Sequence, residues 1–201
     1  MPPEQRAKYI LYAVAALGIV GLVAAVALFV FSGGGSESAR EQIESAGGTL
    51  REVEALEAAT HVTTPPKRSE YNTWPPTSGP HHPEWAPWDV YDEPVEQYRL
   101  VHNLEHGGIV IQYGRGIQQT TVDEIVAWYR DDPNGIVIAP LPELGDDITL
   151  EAWTAPEGGE GGTTYLARLP RFDEGAFDAF KDAYGFRGPE RFPRELLTPN
   201  T

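Results

Sequence analysis

The chain has 201 residues, with 30 acidic side chains against 15 basic ones, a net charge of −15, no cysteine and one methionine. That composition excludes disulfides, thiol catalysis, cysteine-based zinc sites, iron–sulfur clusters and a methionine-rich copper(I) site. So acidic a surface also repels phosphate backbones, and nucleic acid is not an expected partner.

Tyr9 to Phe31 is an uninterrupted run without a charged or strongly polar side chain. As a helix it would be about 34 Å long, enough to cross a hydrocarbon core of about 30 Å. Cleavable signal peptides carry a shorter apolar region of about 7–15 residues, so the run predicts an uncleaved signal anchor. Arg6 and Lys8 precede it, whereas Ser32-Gly33-Gly34-Gly35-Ser36 and then acidic chain follow. The positive-inside rule then predicts a single-pass protein of the cell membrane, with its C-terminal part extracytoplasmic. The expected organisation is a cytoplasmic N-terminus (1–8), a membrane span (9–31), a linker with a juxtamembrane helix (32–60), an extracytoplasmic domain (61–188) and a C-terminal tail (189–201).

Ser36 to Ala46 reads as a short polar helix capped by Ser36 or Ser38 and stopped by Gly47-Gly48. Thr49 to Val62 fits strand and helix equally. Thr63 to Pro94 is a long loop in which prolines alternate with Tyr71, Trp74, Trp85, Trp88 and Tyr91. Aromatic area on that scale predicts a loop ordered against the core. Pro94 to His106 carries Val95, Tyr98, Val101 and Leu104 at every third position, which predicts a helix capped by Asp92 and stopped by Gly107. A strand beginning near Arg99 is the competing reading. Gly108 to Tyr113 is a β-branched strand, and Thr121 to Arg130 a helix with Thr121 as cap and Glu124 as its capping-box partner. Strands at Ile136–Ala139, Ile148–Trp153 and Thr163–Leu169 and a helix at Asp173–Tyr184 complete the pattern. Strands between helices without strict alternation predict an α+β fold with a mainly antiparallel sheet.

His102-Asn103-Leu104-Glu105-His106 places two of the chain's five histidines four positions apart, with a carboxylate beside them. That spacing sets the rings on one side of a helix or of a strand. His102, Glu105 and His106 match H-x-x-E-H, the inverted zincin pattern, in which the glutamate would act on metal-bound water. The following Gly107-Gly108 and strand do not suit a long zincin helix, so metal binding without hydrolysis is favoured. A third ligand is available in Ser78-Gly79-Pro80-His81-His82-Pro83, where flanking prolines stiffen the backbone. Three imidazoles with a carboxylate suit zinc or copper(II). Alternatively, these side chains serve only to hydrogen-bond the long loop to the sheet. Trp74, Trp85 and Trp88 form a second candidate, a platform for a sugar or peptide, although such residues more often staple a loop to a core.

Tyr71-Asn72-Thr73-Trp74-Pro75-Pro76-Thr77-Ser78-Gly79-Pro80-His81, Val90-Tyr91 and Val101 to Gly108 together resemble domain-of-unknown-function family 3105, over roughly His61 to Tyr184. The resemblance implies a bacterial membrane-anchored extracytoplasmic domain without an established activity. It marks His81, His102, Glu105, His106 and Trp153 as recurring features. It also favours His81 over His82, whose place is often taken by asparagine. Relatives often carry cysteines near Val90-Tyr91 and near the C-terminus; here there are none.

Three functions follow as expectations. The first is a metal-binding domain using His81, His102 and His106, with Glu105 as ligand or partner. The second is a metal-dependent hydrolase with Glu105 as its catalytic base. The third is a non-catalytic domain that meets an envelope protein or glycan through its tryptophans.

Overall fold

A computed structural model describes residues 35–56, 60–156 and 162–201. The expected membrane span lies outside them, and among the described residues no helix is long and apolar enough to cross a membrane. Met1–Ser38 and Ala39–Thr201 are separate units, and the sheet and the candidate site belong to the second. In chain order the described elements are helix α1 (35–45), β1 (Thr49–Glu54), α2 (Gln97–Glu105), β2 (Ile109–Tyr113), α3 (Gln119–Asp131), β3 (Ile136–Pro140), β4 (Ile148–Thr154), β5 (Thr163–Leu169) and α4 (Glu174–Tyr184), with short 3₁₀ turns between.

The strands form one sheet in the order β1-β5-β4-β2-β3, in which only the β2–β3 pair is parallel. The fold is therefore α+β with a mainly antiparallel sheet, as the pattern predicts. Side-chain alternation divides the sheet into two faces. Ile109 and Ile111 of β2, Ile136 and Ile138 of β3, and Leu150 and Ala152 of β4 pack with Phe177 and Phe180 of α4 in one core. Val110, Val137 and Trp153 face the other way and pack with Leu100, Val101 and Leu104 of α2 and with Trp88. The long loop and α2 thus cover one face of the sheet, and residues 39–45 of α1 with α3 and α4 cover the other.

Several boundaries differ from the sequence reading. Thr49–Glu54, the first part of the ambiguous stretch Thr49 to Val62, is a strand at the edge of the sheet. Helix α2 begins at Gln97 rather than Pro94, with Glu96 rather than Asp92 at the cap position, and the strand reading from Arg99 does not hold. Helix α3 begins at Gln119, so Thr121 lies inside its first turn, and no Thr121–Glu124 capping box exists. Ser36 and Ser38 likewise lie inside α1. Helix α4 begins at Glu174, and Asp173, read as its first residue, is instead its cap, accepting the backbone N–H of Ala176. The final residues pack against the domain. Leu197 is buried, the Leu197 carbonyl accepts the N–H of Gly135, and Asn200 and Thr201 exchange backbone hydrogen bonds with Trp88.

Candidate metal centre

The helical spacing of α2 turns His102, Glu105 and His106 toward one side, over the long loop, while Leu100, Val101 and Leu104 enter the core. Asn103 performs a different task. Its side chain accepts the N–H of Ala86 and donates to the Ala86 carbonyl, clamping the loop to the helix. The helix stops at Gly107, whose φ of 86° few other residues adopt, and Gly108 lets the Trp88 ring lie against the backbone. A Cβ on Gly108 would sit 2.3 Å from that ring. Both glycines are thus explained by the close passage of chain just after the histidine pair.

The loop supplies two further imidazoles. His61 and His81 form a parallel β-bridge, with Val62 N–H donating to the His81 carbonyl and His81 N–H to the Thr60 carbonyl. Ring nitrogens of His61, His81 and His102 lie within 4.8 Å of one another, a set able to hold a metal ion. His106 joins through His102: their Nε2 atoms are 2.8 Å apart. Glu105 joins through His81, Oε2 to Nε2 at 2.8 Å, although neither Glu105 oxygen nor that nitrogen has a well-aligned hydrogen bond.

The outer nitrogens fix the tautomers. Nδ1 of His81 faces the Gly79 carbonyl at 2.9 Å, Nδ1 of His102 the His82 carbonyl at 2.6 Å, and Nδ1 of His106 the Glu190 carbonyl at 2.9 Å. A carbonyl oxygen only accepts, so each Nδ1 carries a hydrogen; burial keeps the His102 ring neutral with a bare Nε2, whereas Nε2 of His81 faces the Glu105 carboxylate. The Nε2 atoms of His102 and His106 face each other, and that of His81 faces Glu105. Backbone carbonyls that orient the far nitrogen of a histidine are the usual outer support of a metal-ligating imidazole.

The electrostatics agree. Burial pushes the His102 pKa down to about 4, against the help of the His82 carbonyl, and the neighbouring histidines lower it further. At His81 burial also disfavours the charged form, but Glu105 and the Gly79 carbonyl outweigh it and raise the pKa. For Glu105 burial works toward a higher pKa, and His81 overcomes it, so the carboxylate stays ionised. The centre therefore combines an ionised carboxylate beside His81 with a His102 ring that burial keeps neutral.

His61 is the open side. It is exposed, its ring stacks on His102 with centroids 5.3 Å apart, and its edge meets His81 at 4.9 Å. Trp85 stands edge-on to His102 and His106, and Phe192 touches His106 from the C-terminal segment.

Of the expected ligands, His81, His102, His106 and Glu105 are brought together. His82 is not: its ring packs edge-on to Tyr98, and its Nδ1 accepts the N–H of Glu84. Sequence reasoning missed His61, which no local spacing marks, since 19 residues of loop separate it from His81. Trp153 is wholly buried in the α2-side core. Trp88 is wholly buried too and offers no surface to a ligand. Trp74 lies under the Arg68 guanidinium and donates to Glu143, and Trp85 belongs to the histidine cluster.

Fold and site together define an α+β domain organised around a buried histidine–glutamate cluster. The model of the family described as protein of unknown function (DUF3105) matches residues 61–193, and the chain belongs to that family. The match begins at His61 and takes in every member of the cluster. No curated protein and no solved structure matches the chain.

Proposed function

We propose that this domain binds a divalent transition metal, zinc or copper(II), through His61, His81 and His102, with His106 as a further donor and Glu105 as the charge partner of His81. The observation that carries the reading is that ring nitrogens of His61, His81 and His102 lie within 4.8 Å of one another, while Nδ1 of His81 and of His102 is held by the Gly79 and His82 carbonyls. A nitrogen-rich, sulfur-free set suits those two ions, and a single carboxylate offsets part of their charge. Bound metal would act as a Lewis acid or simply tie the loop to α2. Glu105 balances charge and orients His81 in this reading. Wholly buried and already facing His81, it is poorly placed to work as a base on water.

Further, the domain is read as facing the extracytoplasmic side of the cell membrane, held by residues 9–31. The support is the length of that apolar run and the basic residues before it. Carbonate extraction of membranes and protease accessibility of the C-terminal part in intact cells test the anchor and its orientation.

The binding test compares metal content, by elemental analysis after passage over a chelating resin and reloading, in the wild type, His102→Ala and His82→Ala. About one zinc or copper per chain is expected in the wild type and His82→Ala, and none in His102→Ala. Equal content in all three would overturn the reading.

A further inference from the structure

A pocket of about 210 Å³ lies between the long loop and the start of α2, and it shares no residue with the histidine cluster. Three aromatic residues line it, Tyr71 and Trp74 from the loop and Tyr98 from the helix, together with Glu96, Gln97 and two loop prolines. Among the described residues no lysine, arginine or histidine lines it. The Tyr71 and Trp74 rings have centroids 6.5 Å apart and planes inclined by 52°, so they do not stack on each other. Burial, the Glu70 carboxylate and Tyr98 push the Tyr71 pKa up to about 12, so the phenol stays neutral and its surroundings favour positive charge.

The polar atoms of the lining restrict the occupant. The Tyr71 hydroxyl donates to the Pro80 carbonyl, and the Trp74 indole N–H donates to Glu143. The Gln97 amide exchanges hydrogen bonds with Gln112, and the Glu96 carboxylate accepts from the Arg99 guanidinium. Pro80, Glu143, Gln112 and Arg99 all lie outside the lining, so these groups are already engaged by the protein. A sugar or a primary amine would bring donors that find few free partners here, at a desolvation cost. A quaternary ammonium has no N–H to satisfy, and it is attracted both by aromatic rings and by a carboxylate. The indole already holds one cation: the Arg68 guanidinium lies 4.4 Å from the Trp74 ring centroid without lining the pocket. We propose that the pocket is an aromatic cage for a quaternary ammonium group, the trimethylammonium end of a choline-type molecule. Tyr71, Trp74 and Tyr98 supply the rings, and Glu96, shared with Arg99, supplies the charge. The size suits so compact a group, since drug-sized sites begin at about 300 Å³.

The experiment is calorimetric titration of the full-length chain, in a detergent free of choline, with choline, with its uncharged isostere 3,3-dimethyl-1-butanol and with glycerophosphocholine. One choline per chain is expected, bound about tenfold or more tighter than the isostere, which has the same shape without the charge. Trp74→Leu should weaken choline binding about tenfold or more. Glu96→Gln, at an exposed position whose carboxylate meets only Arg99, should keep the fold and weaken binding about twofold or more. Tighter binding of glycerophosphocholine than of choline assigns the cage to a phospholipid headgroup, and weaker binding assigns it to a free solute; either supports the cage. Absence of choline binding, equal binding of the isostere, or unchanged affinity in either variant would overturn the proposal. No residue of the metal centre is altered, so the outcome is separate from that of the histidine cluster.

Discussion

His102 and His106 face each other through Nε2 atoms 2.8 Å apart, while the opposite nitrogen of each ring is bound to a backbone carbonyl. Nitrogens at that distance need either a hydrogen shared between them or a cation bound to both. A proton is one candidate, but burial holds the His102 pKa near 4. A metal ion bound by the cluster would take over that role, and it should stabilise the fold by mass action. At about a hundredfold excess over Kd the gain is about 2.7 kcal/mol, a rise of about 5–10 °C in Tm for a domain of this size. Differential scanning calorimetry with and without zinc checks this; an unchanged Tm in the wild type would contradict it.

The contact between His81 and Glu105 makes a second prediction. Both side chains are wholly buried, and the carboxylate offsets part of the charge of any bound cation. Glu105→Gln preserves shape and removes the charge. Metal affinity should fall about tenfold or more, in line with losses typical of groups that support a metal ligand. Competition against a chromophoric chelator would measure it. The same variant should keep a native circular dichroism spectrum, since Asn103 and the core side chains of α2 are untouched.

Much of this fold was legible beforehand because period and punctuation agreed. The run Gly108–Tyr113, the strands near Ile148 and Thr163, and the helix capped by Asp173 all combine apolar rhythm with turn residues at their ends. Helix starts were less legible. Asp92 and Thr121 look like caps in sequence, yet Glu96 and Gln118 precede the first helical turns without any side-chain cap. The i, i+4 pairing of His102 and His106 was visible because helical spacing is local. His61 was not, because its position is set by a backbone bridge to His81 across a long loop. A tail was expected after Pro189. The finished fold instead spends the Glu190 carbonyl on His106 and sets Phe192 against that ring, contacts across more than 80 residues that no local pattern encodes.

Gly108 offers a test of how the loop, helix and sheet lock together. An added methyl would meet the Trp88 ring at 2.3 Å and the Asn103 carbonyl at 3.0 Å. Trp88 is wholly buried and cannot swing into solvent without opening the α2-side core. Gly108→Ala should therefore destabilise by about 2–3 kcal/mol, the range for overpacking a tight core. Urea unfolding would show a lower midpoint at an unchanged slope. A shift below about 0.5 kcal/mol, the scale of ordinary surface changes, would mean that the ring yields.

Glu151 should give the domain a distinctive pH dependence. Its side chain is wholly buried on β4, where the Thr149 hydroxyl and the Gln112 amide donate to its oxygens. Burial dominates these hydrogen bonds and the more distant Arg168, and raises its pKa from 4.5 to about 8. Below pH 4.5 the carboxyl is protonated in both folded and unfolded chains and adds no pH dependence. Between 4.5 and about 8 the unfolded chain releases the proton and the folded one retains it, so stability falls as pH rises. Above that window both forms are ionised, and the full penalty, at most on the order of 5 kcal/mol, is present. Glu151→Gln removes the titration and keeps the side chain polar. The stability of the wild type relative to Glu151→Gln should then decline steadily across the window and level off above it. Taking the difference cancels the histidines, which titrate in both proteins. Denaturant unfolding at half-unit pH steps reads this out. A flat difference would show that Glu151 is ionised in the folded state, stabilised by Gln112 and Thr149 more strongly than burial opposes.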